Sequence, residues 1–273
     1  MLKLNKPVWH GFGTADLWMS AAAQNRRRSD LEEFVEPDVD AVALEIFSRY
    51  AGEQPLLIDG TPATATLFNP DYCPELRVMK MAGRLAVAVN RRAQEGTNRP
   101  GTVLPLRVPV EDIMLAALLH DVGKQHEDCA PLLELMQTTS LRARDDEEAG
   151  TRDAYLLGIV RDVHCRKGPC MLDRLREAGR PELNNPFIAT AARRHGDDYD
   201  TNRAVGQGCW WAREINIITI ADDYDAMTSA GPERAYKAAH ISKGRAAELI
   251  KAGIAAGRYD REIALIFLND IVQ

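Results

Sequence analysis

The stretch AALLHDVGKQHED, residues 116–128, decides how this chain is read. An apolar run, Ala116 to Leu119, meets His120 and Asp121 side by side, then Gly123 and Lys124. Extended backward, VEDIMLAALLHDVG has the length and apolarity of a buried helix, ended by Gly123. Such a helix carries an imidazole and a carboxylate toward its own core. An unpaired buried carboxylate is costly, so Asp121 calls for a cationic partner. His and Asp together offer a nitrogen and an oxygen to a divalent cation. Taken alone, the pair is more often a hydrogen-bonded His beside a capping or ion-paired Asp.

Other segments repeat the pattern. RDVHCRKG, residues 161–168, places His164 four residues before Gly168, near an expected helix end. TAARRHGDDYD, residues 190–200, ends an apolar helix on His195 and an acidic cluster. NIITIADDYDAMTS, residues 216–229, sets Asp222 directly after an isoleucine-rich run, with Asp225 three residues further on the same helix face. Together these supply three imidazoles and two carboxylates, a donor set for iron, manganese or zinc rather than calcium.

The rest of the chain is helical in pattern. One amphipathic helix is expected at about Val39–Tyr50, stopped by Gly52, then a loop with a short strand or hairpin through residues 53–74. ELRVMKMAGRLAVAVNRRAQ follows as a long helix with Leu76, Met79, Leu85, Val87 and Val89 near one face. After a linker and the helix at 110–123 come the short APLLELMQ and the charge run RARDDEEAGTRD, a solvated loop or helix start. AYLLGIVRDVH, MLDRLREAG and NPFIATAARRH are expected as three separate helices. REINIITIADDYDAMTS, KGRAAELIKAGIAAG and REIALIFLNDIV close the chain. Helices with short connections make an all-α bundle, here residues 72–273, preceded by a small extension, residues 1–71.

Length and composition agree. The 273 residues are 45% apolar and 27% charged, enough for a sizeable core. A net charge of −6 gives no reason to expect general nucleic-acid binding, and Arg26, Arg27 and Arg28 read as a solvated helix end. No apolar run has bilayer-spanning length, so no membrane role is expected. MLKLNKPVWHGFG lacks the apolar centre of a signal peptide. Five scattered cysteines, Cys73, Cys129, Cys165, Cys170 and Cys209, do not suggest a disulfide framework, and a reducing cytoplasm is the expected location.

LLHDVGK, residues 118–124, resembles the signature of the HD phosphohydrolase superfamily. IITIADDYDAMTS with the closing AGIAAGRYDREIALIFL resembles its HD-GYP branch, over about residues 72–272. The resemblance implies an HD-domain helical bundle and a metal-dependent phosphohydrolase or phosphodiesterase acting on a nucleotide or cyclic dinucleotide, with one or two divalent ions of iron, manganese or zinc. It implies His120, Asp121, His164, His195 and Asp222 as metal ligands, with Asp121 able to bridge two ions and to serve catalysis. Lys124 would face substrate phosphate, joined by Arg194; Asp225 would support the helix or a ligand through hydrogen bonds. The sequence also departs from the family pattern. Pro74 stands where a His is usual, Arg194 replaces the first His of a His-His-Glu element, Gly196 replaces its Glu, and DDYDTNRAVGQG stands where a Gly-Tyr-Pro loop would be. Asp71, Glu75 or His10 could supply a missing ligand.

A second reading therefore stays open: a degenerate domain that binds metal or nucleotide without turnover. A third gives the N-terminal extension a docking or homodimer-forming role. The remaining motifs have plainer readings. His126, Glu127 and Asp128 are expected to be solvated, Trp210 and Trp211 to pack, His10 to be buried without ligating, and His240 to lie at the surface. Cys165 and Cys170 lack the second pair that a separate zinc site needs.

Overall fold

The fold is given by a computed structural model describing residues 34–50, 74–97, 108–129, 131–135, 147–204, 211–229 and 241–272. The expected hairpin within residues 53–73, and His10, Arg26, Arg27, Arg28, Asp71, Cys73, Cys209, Trp210 and His240, lie outside the described residues. Among the described residues every regular element is helical. They are α1 (Val39–Tyr50), α2 (Pro74–Thr97), α3 (Val110–Leu119), a 3-10 turn (Val122–Gln125), α4 (Glu147–Glu177), a second 3-10 turn (Pro181–Asn184), α5 (Pro186–Arg194), α6 (Tyr199–Ala204), α7 (Ala212–Thr228), α8 (Lys243–Ala255) and α9 (Arg261–Asp270). None of these helices is long and apolar enough to cross a membrane. The chain divides into two compact units, residues 1–35 with 90–107, and residues 36–89 with 108–273. The description that follows is of the second.

Its centre is α3. Eight of its ten residues are buried, and α1, α5 and α7 pack around it. An apolar helix surrounded on all sides needs no polar face, which is why its sequence lacks amphipathic alternation. Side-chain caps start the helices where the sequence has turn-forming residues. Asn185 accepts from Phe187 N ahead of α5, Ser242 from Arg245 N ahead of α8, and Asp260 from Glu262 N and Ile263 N ahead of α9.

Two expectations are corrected. Helix α3 stops at Leu119, before Gly123, so His120 and Asp121 lie in a turn followed by the 3-10 segment. The two helices expected on either side of the His164 element are one helix of 31 residues with Pro169 inside it. Proline strains the residue before it chiefly through that residue's Cβ, and Gly168 has none. Val160 and His164 on one side of Pro169 and Met171, Leu172 and Leu175 on the other are all buried, so packing holds the helix through the missing hydrogen bond. His164 is therefore a mid-helix residue.

Asp225 ties α2 to α7. It is 2% exposed and accepts from Arg77 Nε at 2.9 Å, Arg77 Nη2 at 3.1 Å and Ser229 Oγ at 2.7 Å. This is the supporting role expected of it. Arg77→Ala removes two charge-assisted hydrogen bonds from a buried carboxylate. The expected loss is about 2 kcal/mol, less than for a fully buried pair because the Arg77 side chain is 37% exposed. Urea unfolding should show it, and Arg77→Lys should recover only part because lysine has no guanidinium fork.

Candidate metal centre

Four elements deliver one cluster. His120 caps the C-terminus of α3 and Asp121 follows it; His164 comes from the middle of α4, His195 from the C-terminus of α5, and Asp222 from α7. All three imidazoles are buried. Each ring gives its Nδ1 to a backbone carbonyl one turn back in its own helix: His120 to Ala117 O at 2.7 Å, His164 to Val160 O at 2.8 Å, His195 to Ala191 O at 3.2 Å. A carbonyl only accepts, so Nδ1 carries the proton and each neutral ring presents a lone pair at Nε2. The position of His195 is fixed further by Thr219 of α7, whose hydroxyl lies 2.7 Å from the His195 carbonyl.

The three Nε2 atoms converge on Asp121. Its Oδ1 lies 3.1 Å from His164 Nε2 and 3.5 Å from His195 Nε2, and these two nitrogens are 3.2 Å apart. Its Oδ2 lies 3.4 Å from His120 Nε2, which is 3.6 Å from Asp222 Oδ1. The structure thus brings together all five residues expected as ligands.

Glycine makes this approach possible. The turn after Asp121 lies against α4, and a Cβ on Gly123 would overlap the His164 carbonyl and stand 2.7 Å from Gly168 N. On the other side of α4, a Cβ on Gly168 would come within 3.0 Å of the Ala192 Cβ in α5. Any side chain at Gly123 forces the turn and α4 apart.

The electrostatics show what the cluster lacks. Burial opposes charge on His164, but Asp121 first and then Cys165 override it and raise the pKa to about 9. His195, equally buried, is held below its ordinary value by burial first of all. Burial also opposes charge on His120, yet Asp121 and Asp222 raise it well above the usual range. Burial works against ionising Asp121 too, and Lys124 and His120 still hold it well below the carboxylate range. Asp121 thus makes this point favourable for positive charge, and buried His120 Nε2 has no hydrogen-bond partner among the described residues. Imidazole and carboxylate donors about 2.0–2.2 Å from a divalent ion stand roughly 3–3.5 Å from one another. The spacings around Oδ1 are of that size, so the donor set fits such an ion.

Metal uptake must therefore expel protons. Because His164 is protonated below about 9, apparent zinc or manganese affinity should fall as pH drops from 8 to 6. The expected loss is up to tenfold per pH unit for each proton displaced. Titration calorimetry in buffers of different ionisation enthalpy would count those protons; a pH-independent affinity would rule out His164 as a ligand.

The two residues expected at the phosphate are both engaged. Lys124 pairs with Asp121 Oδ2, its side chain still 36% exposed. Arg194 donates to Asn202 Oδ1 at 2.7 Å and pairs with Asp197 at 3.0 Å. Arg194 also lines a groove of about 430 Å³ with Arg161, Arg166, Arg193, Asp162 and Cys165. Arg166 is committed to Asp162 at 2.6 Å. Arg161 and Arg193 form no ion pair among the described residues. A Cβ on Gly196 would meet Arg161 Nε at 2.7 Å, so the guanidinium fills the space a larger side chain would take.

The readings at the margins divide. His126 is buried, so its expected solvation is corrected, while Asp128 is exposed as expected; Glu127 pairs with Arg174 at 3.1 Å and Asp128 with Lys167 at 2.6 Å, both on α4. Trp211 packs as expected, its ring 6.0 Å from Phe187. Two features are not visible in the sequence pattern: Cys165, whose Sγ lies 3.5 Å from His164 Nε2, and Arg161 and Arg166 in the groove beside Arg194. Neighbours on a helix point about 100° apart, yet with the His164 ring turned back to Val160 O, Cys165 Sγ lies alongside its Nε2.

The family model for the HD domain matches residues 75–227. No curated protein and no solved structure matches the chain.

Proposed function

This chain belongs to the HD domain family, and from that premise we propose that it is a metal-dependent phosphohydrolase acting on the phosphoester of a nucleotide or cyclic dinucleotide. One observation carries the reading: three buried imidazoles with fixed tautomers aim Nε2 at the two oxygens of one carboxylate, beside a groove in which four arginines outnumber two aspartates. The ADDYDAMTS string and the AGRYD element favour the HD-GYP-like branch.

His120, Asp121, His164, His195 and Asp222 would hold iron, manganese or zinc. A bound divalent ion supplies Lewis-acid charge and a water acidic enough to attack near neutral pH. Asp121, one of the residues that would hold the ion, would orient the attacking water and accept its proton through the oxygen that pairs with Lys124. Lys124 exchanges the carboxylate for a non-bridging phosphate oxygen as the substrate settles, a fixed cation where negative charge develops. Arg161 and Arg193 hold the anionic substrate in the groove, and Arg194, tied to Asn202 and Asp197, keeps that wall in place.

The test is elemental analysis of protein purified without added metal, followed by hydrolysis of bis-p-nitrophenyl phosphate with manganese or iron. Metal with turnover is the expected result. Lys124→Ala should lower the rate about 100-fold with metal content unchanged; loss of metal would overturn the phosphate role. The second reading, a non-catalytic metal- or nucleotide-binding module, is favoured by the Lys124–Asp121 pair, which occupies the oxygen a water needs. Metal bound without turnover would select it.

A further inference from the structure

We propose that Cys165 is a thiolate ligand, and that with His164, His195 and Asp121 it makes one half of the centre a closed four-donor site that selects zinc. The inference rests on the metal-centre reading above and goes beyond it in the donor set and in the metal chosen.

Asp121 divides the cluster in two. Its Oδ2 faces His120, with Asp222 beyond, and its Oδ1 faces His164 and His195. Without Cys165 the Oδ1 half has three donors, one fewer than a closed zinc site takes. Cys165 supplies the fourth. Its Sγ is 3.5 Å from His164 Nε2, and one donor atom from each of Cys165, His164 and His195 lies within 4.8 Å of the others. A tetrahedral zinc with nitrogen at about 2.0–2.1 Å and sulfur at about 2.3 Å sets nitrogen and sulfur roughly 3.5 Å apart. The two imidazole nitrogens are 3.2 Å apart, and Asp121 Oδ1 stands 3.1 and 3.5 Å from them. His164 and His195, each with Nδ1 turned to a carbonyl, aim their Nε2 atoms at one another 3.2 Å apart, a spacing that two nitrogens holding one ion also take. Thiolate is a soft donor, so this half should prefer zinc to manganese, while the half formed by His120, Asp222 and Asp121 Oδ2 has only nitrogen and oxygen.

Cobalt(II) is the probe, added to the metal-free full-length chain. The expected spectrum has visible ligand-field bands together with an intense near-ultraviolet sulfur-to-cobalt charge-transfer band that zinc abolishes on displacing the cobalt. Cys165→Ser should lose the charge-transfer band, keep ligand-field bands and bind zinc at least tenfold more weakly, with manganese affinity unchanged. Cys170→Ser, a change at an exposed position, should leave the spectrum intact. Ligand-field bands without charge transfer in the unaltered chain would overturn the thiolate and leave the metal centre standing. A charge-transfer band that survives Cys165→Ser would place the sulfur elsewhere and overturn it as well. No cobalt bound at all would remove both this inference and the centre on which it rests. The spectrum of the unaltered chain decides the first and last of these outcomes whatever the variants' folding.

Discussion

Asp121→Asn is expected to abolish turnover and strip the protein of most of its metal. The substitution keeps the shape of the side chain and removes its charge from among His120, His164, His195 and Lys124. Lewis-acid stabilisation is worth several kcal/mol, and at about 1.4 kcal/mol per tenfold its loss means a fall of about a thousandfold or more. Metal analysis and the bis-p-nitrophenyl phosphate rate would measure both effects. The metal-free protein offers an independent check. There the carboxylate raises His164 to about 9 against the opposition of burial. With Asn in place the larger upward push is gone, and the ring should titrate well below 9. A His164 resonance still titrating near 9 by NMR would show that Asp121 does not organise the cluster.

Gly123→Ala should have the second largest effect, although the residue touches no ligand atom. Its new methyl would overlap the His164 carbonyl, a backbone atom that no rotamer change can move. Overpacking of this kind costs about 3 kcal/mol, or roughly 6–10 °C in Tm for a chain of this size. Relief requires the turn to leave α4, which carries Asp121 away from His164 and should lower metal affinity by tenfold or more. Gly168→Ala is the graded comparison, because its nearest contact, the Ala192 Cβ at 3.0 Å, is a methyl that gives by tenths of an ångström. Equal losses from the two substitutions would contradict the close-approach argument. Thermal melts and zinc titrations of both proteins would decide.

Much of this was legible in the residues. Helix α1 falls at Val39–Tyr50 as its amphipathic pattern predicts, and α7, α8 and α9 follow their segments within a residue or two. The five ligand candidates were visible because polar residues at the ends of long apolar runs stand out against their surroundings. What was not legible depended on packing. The RKGP stretch reads as a helix break, since Gly and Pro disfavour helix locally, yet burial on both sides of Pro169 carries α4 through it. Solvation of His126 was inferred from its charged neighbours, and the packing of the turn on α4 buries it while α4 supplies counterions to Glu127 and Asp128.

By itself, then, the sequence determined the helical class, most helix boundaries and the chemical inventory, because periodicity and residue type are local properties. Tertiary structure alone decided which Nε2 faces which oxygen of Asp121, that Cys165 stands beside His164, and that arginines from α4 and α5 share one groove. Those facts depend on distances between helices set by glycine contacts and on rings held by carbonyls one turn away. A linear pattern records neither.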